Sequence, residues 1–265
     1  MLRGAGSLKM SIPIFAGKVA LVTGGGSGIG RAICQVLARD GANVAVADIN
    51  LQGAQETVSM LPRPGDHLAV TMDVASKASV DSGLKAITDK YQAPPSLLVN
   101  NAGIVKPSPF LDMAEKTFVD VLDVNLKGTF LVSQAVVKLL LQQPGAAGGA
   151  VVNISSLAGQ VGFKNHSQYA ASKAGVMAFT KSVAGELAKT GVRVNCVLPA
   201  VIQTPILTPI LTSSTPDYSD AIVAKVALGR MGQPEEVAEV VGFLLSDKSS
   251  YMTGSCVEIH GGYGL

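Results

Sequence analysis

Histidine and cysteine are scarce, three of each in 265 residues, and their placement excludes several kinds of site. Cys34, Cys196 and Cys256 are odd in number, far apart and set in apolar runs, so neither a disulfide framework nor a zinc cluster is expected. They read as buried thiols of a reducing compartment. His67, His166 and His260 lack the close or cysteine-paired spacing of metal ligands, so no metal is expected. Blocks of like charge are also missing: 21 Lys+Arg against 19 Asp+Glu leave a net charge of +2 and no basic stripe for nucleic acid. No run of about 18 uncharged apolar residues occurs, so a soluble chain without a membrane span is expected. No acidic residue precedes Asp40, while Arg3, Lys9 and Lys18 are basic. Residues 1–17 therefore read either as an organelle-targeting segment, with the mitochondrial matrix as destination, or as a plain tail on a cytoplasmic protein.

What is present fits one large α/β domain over 18–265, with 48% hydrophobic residues. Apolar runs at 18–23, 43–48, 67–74, 96–100, 150–156, 192–199 and 255–261 read as strands, mostly covered on both faces. Helix-length segments lie between them, among them 30–40, 113–141, 168–189 and 234–246. That alternation predicts right-handed crossovers and a Rossmann-type, doubly wound parallel sheet of seven strands. The low-complexity stretch 142–150 reads as a surface turn. Residues 204–220, rich in Pro, Ser and Thr, read as a mobile loop with a short apolar helix.

Five glycines crowd into TGGGSGIG, Thr23 to Gly30, directly after the first strand. An apolar-periodic segment (Ile29, Ile33, Val36, Leu37) begins at once, so the glycines join a strand to a helix N-terminus. Free amides and the helix dipole favour an anion there, and glycine lets the backbone approach a pyrophosphate. The next strand ends at Asp48, 18 residues beyond Gly30, where a carboxylate accepts from an adenosine ribose. Together these features predict dinucleotide binding.

The glycine spacing is T-G-x-x-x-G-x-G, and it resembles the short-chain dehydrogenase/reductase family. The resemblance runs from Lys18 to Gly262 and continues through Asp73-Val74, NNAG (100–103), NLKG (125–128), Ser155-Ser156, YAASK (169–173) and the segment Pro199 to Thr204. Within the family it is strongest to the 3-oxoacyl-[acyl-carrier-protein] reductase branch and its type 8 17-beta-hydroxysteroid dehydrogenase group. One departure is Pro199-Ala200, where the family usually has Pro-Gly.

On the predicted helix 168–189, Tyr169 and Lys173 stand one turn apart on one face. Alone, that spacing is also that of an ordinary surface pair. A tyrosine normally ionises near about 10, and a nearby ammonium together with an oxidised nicotinamide would favour the phenolate. Tyr169 then serves as general acid/base, and Lys173 also holds the nicotinamide ribose. Ser156, 13 residues before Tyr169, matches the family's spacing and would hydrogen-bond the substrate oxygen, so Ser156 and Tyr169 are the expected substrate contacts. Ser155 would only support the strand end. The resemblance makes Asn125 a helix irregularity holding a water beside Lys173.

The resemblance implies cofactor contacts from Gly24, Ser27, Gly28, Ile29, Gly30, Asp48, Ile49, Asp73, Val74, Asn101, Ala102, Gly103, Tyr169, Lys173, Ile202 and Thr204. Asn100 is a weaker candidate, with strand-end capping as its alternative. NAD is the expected cofactor, because Asp48 would repel the 2′-phosphate of NADP. Residues 203–220 would form a lid, its apolar Ile206, Leu207, Ile210 and Leu211 facing substrate.

Two classes of function compete: a dehydrogenase of secondary alcohols, and a non-catalytic dinucleotide-binding subunit or sensor. The intact set Asn125, Ser156, Tyr169 and Lys173 favours the enzyme. The resemblance implies 3-hydroxyacyl or 3-oxoacyl thioesters, or 17-hydroxysteroids, as substrates. Long apolar helices over 113–141 and 168–189 predict a subunit interface, with a second at the C-terminal strand and GGYGL tail. A tetramer is expected, either of identical chains or with a related reductase subunit.

Overall fold

The computed structural model describes residues 13–143, 148–207 and 218–265. Seven parallel strands form one sheet in the order β3-β2-β1-β4-β5-β6-β7: β1 (Val19–Thr23), β2 (Asn43–Asp48), β3 (Leu68–Thr71), β4 (Leu97–Asn100), β5 (Gly149–Ile154), β6 (Val192–Pro199) and β7 (Cys256–Ile259). All seven predicted strands are present in a single α/β domain of Rossmann type. Register is set by rows of small and branched side chains: Val46, Val22, Val99 and Val152 lie side by side across β2, β1, β4 and β5. Successive residues alternate between faces, so Ala20 and Val22 join one core while Val19 and Leu21 join the other.

The first core lies under α1 (Gly28–Arg39), α2 (Leu51–Ser59) and α9 (Pro234–Leu245), through Ile33, Leu37, Ala54, Val237 and Val241. The second lies under α3 (Lys77–Tyr91), α5 (Gly128–Leu141) and α7 (Ser167–Leu187), through Leu84, Ile87, Val132, Val136 and Ala184. Local chemistry starts these helices: Asn50 caps α2 by accepting from Gly53 N, and Ser76 caps α3 by accepting from Ser79 N. In α9, Pro234 stands in the first turn while the Glu236 carboxylate accepts from Gln233 N at 2.7 Å.

The predicted helix 113–141 is a composite of α4 (Glu115–Leu122), a π-helical turn (Asp123–Lys127) and α5. The run Glu115–Leu141 is apolar and long enough to pass for a membrane span by composition. Here it is a core helix, because Val132, Val136 and Leu140 are buried in the layer that covers the sheet.

Of residues 13–17, assigned by the sequence to a tail, Phe15 joins the packing. Phe15 is buried against the first core, and its amide donates to Asp40 O at 2.9 Å. The cysteines also differ from expectation. Cys34 and Cys196 are buried, but Cys256 is only half-buried, and its sulfur lies 3.2 Å from that of Cys196. The pair faces across β6 and β7 because register places the two residues opposite each other. Residues 208–217 of the predicted lid, including Ile210 and Leu211, lie outside the described residues, as do 144–147 of the predicted turn. The short helix α8 (Tyr218–Val223) begins within the C-terminal end of the predicted lid segment.

Candidate active site

The strand order reverses between β1 and β4, and the chain leaves both at their C-terminal ends, opening a crevice there. A cleft of about 720 Å³ occupies it. Gly24, Ser27, Gly28 and Ile29 line one side; Asp48, Ile49, Asp73 and Val74 line the adjoining strand ends; Asn101, Ala102 and Gly103 follow β4. Ser156, Tyr169, Lys173, Ile202 and Thr204 complete the predicted set at the far side. Two predicted residues lie behind the wall. Gly30 is buried: a Cβ there would stand 2.1 Å from Gly24 O, so its hydrogen lets α1 dock under the turn. Asn125 is likewise buried and does not line the cleft.

The cleft fits a dinucleotide. Ser27 precedes α1 without using its side chain as a cap, and the first turn holds no carboxylate, so the helix's leading amides face the cleft uncompensated. Gly28 adopts φ +51°, a left-handed value that suits glycine. Asp48 is held in place: Oδ2 accepts from Gly26 N and Oδ1 from Asn50 N, each at 2.9 Å. A Cβ at Gly26 would meet Asp48 Oδ2 at 2.8 Å, so only glycine allows this approach. Asn101 Nδ2 donates to Thr23 O and Gly24 O, fixing the β4 loop against the glycine turn. Thr23, which sequence reasoning missed, anchors the same loop: its Oγ1 accepts from the amides of Asn101 and Ala102. Asn100, in contrast, turns into the interior, donating to Ser133 Oγ and Asn153 Oδ1, and is neither cap nor cleft wall.

Tyr169 and Lys173 lie one turn apart on α7, with Lys173 Nζ 5.7 Å from the phenol ring centroid. Lys173 Nζ donates to Ile154 O at 2.8 Å, and Ser155 Oγ donates to Lys173 O at 2.8 Å, which pins α7 to the end of β5. Ser155 thus has the supporting position expected of it. Ser156 Oγ accepts from Ala158 N, opening α6 (Ala158–Val161). Burial pushes the Tyr169 phenol above its ordinary value, against the pull of the neighbouring Ser156 hydroxyl. Burial also pushes the Lys173 ammonium down, to about 8.

Asn125 sits in the π-helical turn, the irregularity expected of it. Its Oδ1 accepts from Ile104 N, and its Nδ2 donates to Ile104 O and Ser172 Oγ. A Cβ at Gly103 would come within 3.3 Å of Asn125 Oδ1 and 3.4 Å of Lys173 Nζ, so the two groups converge there. Ala200 lies outside the left-handed region, so alanine in place of the usual glycine needs no special backbone.

The substrate end holds groups that no local pattern announced. Phe163 packs edge-on against Tyr263 at 5.9 Å, and both line the cleft with Ile206, Leu207 and Ile222. Tyr263 belongs to the GGYGL tail that was expected to serve a subunit interface. An aromatic wall between residues 100 positions apart has no signal in the sequence.

The class follows from the seven-stranded parallel sheet and the glycine turn at its switch point. The chain belongs to the short-chain dehydrogenase/reductase family. The pattern described as enoyl-(acyl carrier protein) reductase matches residues 24–264. The chain is 43% identical to the (3R)-3-hydroxyacyl-CoA dehydrogenase of Mus musculus over 253 residues, covering 92% of this chain and 95% of that one. It is 39% identical to the 3-oxoacyl-[acyl-carrier-protein] reductase of Thermotoga maritima over 248 residues, covering 93% and 97%. The crystal structure of levodione reductase superposes with a TM-score of 0.87 at 33% identity, covering 94% of this chain and 98% of that one. The protein is an oxidoreductase of the CH–OH/C=O class with an NAD(P)-type dinucleotide site.

Proposed function

We propose that this chain is an NAD-preferring dehydrogenase that interconverts 3-hydroxyacyl and 3-oxoacyl thioesters. The carrying observation is Tyr169, Lys173 and Ser156 in one cleft with the glycine turn. The intact set argues against a non-catalytic sensor. The two relatives act, by name, on a hydroxyacyl-CoA and an oxoacyl thioester, and the apolar wall of Ile206, Leu207 and Ile222 suits an acyl chain. The type 8 17-beta-hydroxysteroid dehydrogenase resemblance keeps 17-hydroxysteroids in the test panel, since the same wall accepts a flat hydrocarbon.

The bound nicotinamide supplies the hydride acceptor or donor. Tyr169 takes the alcohol proton on oxidation and returns it on reduction. Ser156 Oγ hydrogen-bonds the reacting oxygen as its charge changes. The Lys173 ammonium stabilises the phenolate and holds the nicotinamide ribose. Asn125 holds the floor of the site by saturating both backbone groups of Ile104. Asp48 would hold the adenosine half by accepting from its ribose hydroxyls.

A panel of 3-hydroxyacyl-CoA, estradiol, testosterone and simple sugars, each with NAD and read by NADH fluorescence, tests the reading. Thioester turnover is expected, and a preference for sugars would overturn it. A tetramer is part of the proposal: Phe118, Val119, Phe130 and Leu141 are exposed along the helical run 115–141. A second copy or a related reductase subunit would cover them, and a 27 kDa particle in light scattering at micromolar concentration would refute this. Matrix localisation, motivated by Arg3, Lys9 and Lys18, is tested by imaging the full-length protein.

A further inference from the structure

Charge is divided along the cleft. Its lining carboxylates, Asp48 and Asp73, stand at the ends of β2 and β3. Beyond the catalytic Tyr169 and Lys173, the basic lining residues are Lys164, His166 and Lys225, and Asp48 and Asp73 are the only carboxylates among the described lining residues. Both lysines are exposed, and neither ammonium has a hydrogen bond or ion pair among the described residues.

The two lysines belong to one wall. Lys164 directly follows Phe163, in a turn shaped by left-handed Gly162 and Asn165 and closed by His166 Nδ1 donating to Lys164 O at 2.7 Å. Asn165 O accepts from Ser108 N, which ties this turn to the loop after β4. Lys225 O accepts from Gly264 N at 2.9 Å, beside Tyr263, and Val226 bridges to Tyr263. The contact between Phe163 and Tyr263 therefore brings both lysine backbones to the same rim.

We infer that Lys164 and Lys225 form an anion-recognition rim that takes the phosphate of a 4′-phosphopantetheine thioester. The inference rests on the thioester reading above and adds the groups that read the carrier arm. In such a substrate the reacting carbon lies at Tyr169, and the pantetheine arm sets the phosphate well away from it, at the mouth of the cleft. A lysine ammonium is a hydrated point charge suited to an exposed phosphate. A hydroxysteroid has no group for this rim. Coenzyme A and acyl carrier protein present the same phosphate, so the shared chemistry is assigned here.

The test compares kcat/KM for a 3-oxoacyl-pantetheine with that for the same acyl 4′-phosphopantetheine, CoA and carrier-protein thioesters. It uses the native chain, K164A, K225A, the double alanine variant and a double glutamine variant. Exposed ion pairs are each worth up to about fivefold in binding, so the phosphate should raise native kcat/KM by about tenfold, through KM. Added salt should erode that gain, and either double variant should abolish it. A further gain on CoA or on the carrier protein identifies which of them delivers the phosphate. Turnover of the pantetheine thioester without a phosphate gain overturns the rim and leaves the thioester reading standing. A gain that survives in both double variants also overturns the rim. Steroid turnover with no thioester turnover overturns both.

Discussion

Replacing Asp48 by alanine should collapse the preference for NADH over NADPH that we propose for this enzyme. The carboxylate is fixed by two backbone amides, Gly26 N on Oδ2 and Asn50 N on Oδ1, which leaves one lone pair on each oxygen for the ribose hydroxyls. A 2′-phosphate removes one of those donors and brings a second anion to the same place. At about 4 Å and an effective dielectric near 20, two unit charges repel by about 4 kcal/mol. If screening and relaxation leave a third of that, the discrimination is about tenfold in affinity. Relief would need a cation, and the two α1 arginines that precede Asp48 are engaged elsewhere: Arg39 pairs with Asp40 and Glu239. Arg31 donates to Gly26 O at 2.5 Å and to Thr57 Oγ1 at 3.0 Å, pairs with Glu56, and does not line the cleft. The assay is kcat/KM for NADH and NADPH with one ketone, in native enzyme and in D48A. Asparagine is the poorer variant, because one amide oxygen cannot accept from both backbone donors. Equal native values, a preference for NADPH, or an unchanged ratio in D48A would refute the role of Asp48.

Four other perturbations have worked signs. Tyr169→Phe removes the transferable proton with little packing change, so kcat should fall by about 10² to 10⁴ while NADH binding persists; more than a tenth of native kcat would refute the assignment. Lys173→Met should abolish turnover yet stabilise the cofactor-free protein at pH 7. The ammonium lies near 8 instead of the ordinary lysine value, a penalty of up to about 3 kcal/mol, partly offset by the lost bond to Ile154 O. Because that value is lowered, native stability should climb as pH rises from about 8 toward about 10.4, and the variant should lose this climb; a lower Tm for the variant at pH 7 would contradict it. His67 is nearly buried and its pKa is lowered, chiefly by burial, while Nδ1 accepts from Val44 N. Its contribution is present above about pH 6.5 and lost as pH falls through the lowered value, at no more than about 1.4 kcal/mol per pH unit, and denaturant titrations should show His67→Gln without that slope. Gly30→Ala forces a methyl against Gly24 O and should destabilise by about 1–3 kcal/mol, read as a lower Tm together with lost NADH binding.

Much of this protein is written in local patterns. The continuous apolar runs and the helix-length segments between them are short-range signals, because a strand covered on both faces must be apolar at every position. The glycine turn with Asp48, and Tyr169 one helical turn before Lys173, are legible for the same reason: a few neighbouring residues set their geometry. Tertiary structure decided what depends on distant residues meeting. It turned Asn100 inward, where Ser133 and Asn153 wait on other elements, and placed Gly30 and Asn125 behind the cleft wall as its supports. It set Cys196 opposite Cys256 through strand register, 60 positions apart in the chain. Tertiary packing also raised the Tyr169 phenol and lowered the Lys173 ammonium, since burial is a property of the packed site and not of the YAASK motif. The wall of Phe163 and Tyr263, with Lys164 and Lys225 on its rim, exists only because the C-terminal tail folds back across the cleft. No periodicity encodes such a contact, because its partners share neither a helix face nor a strand.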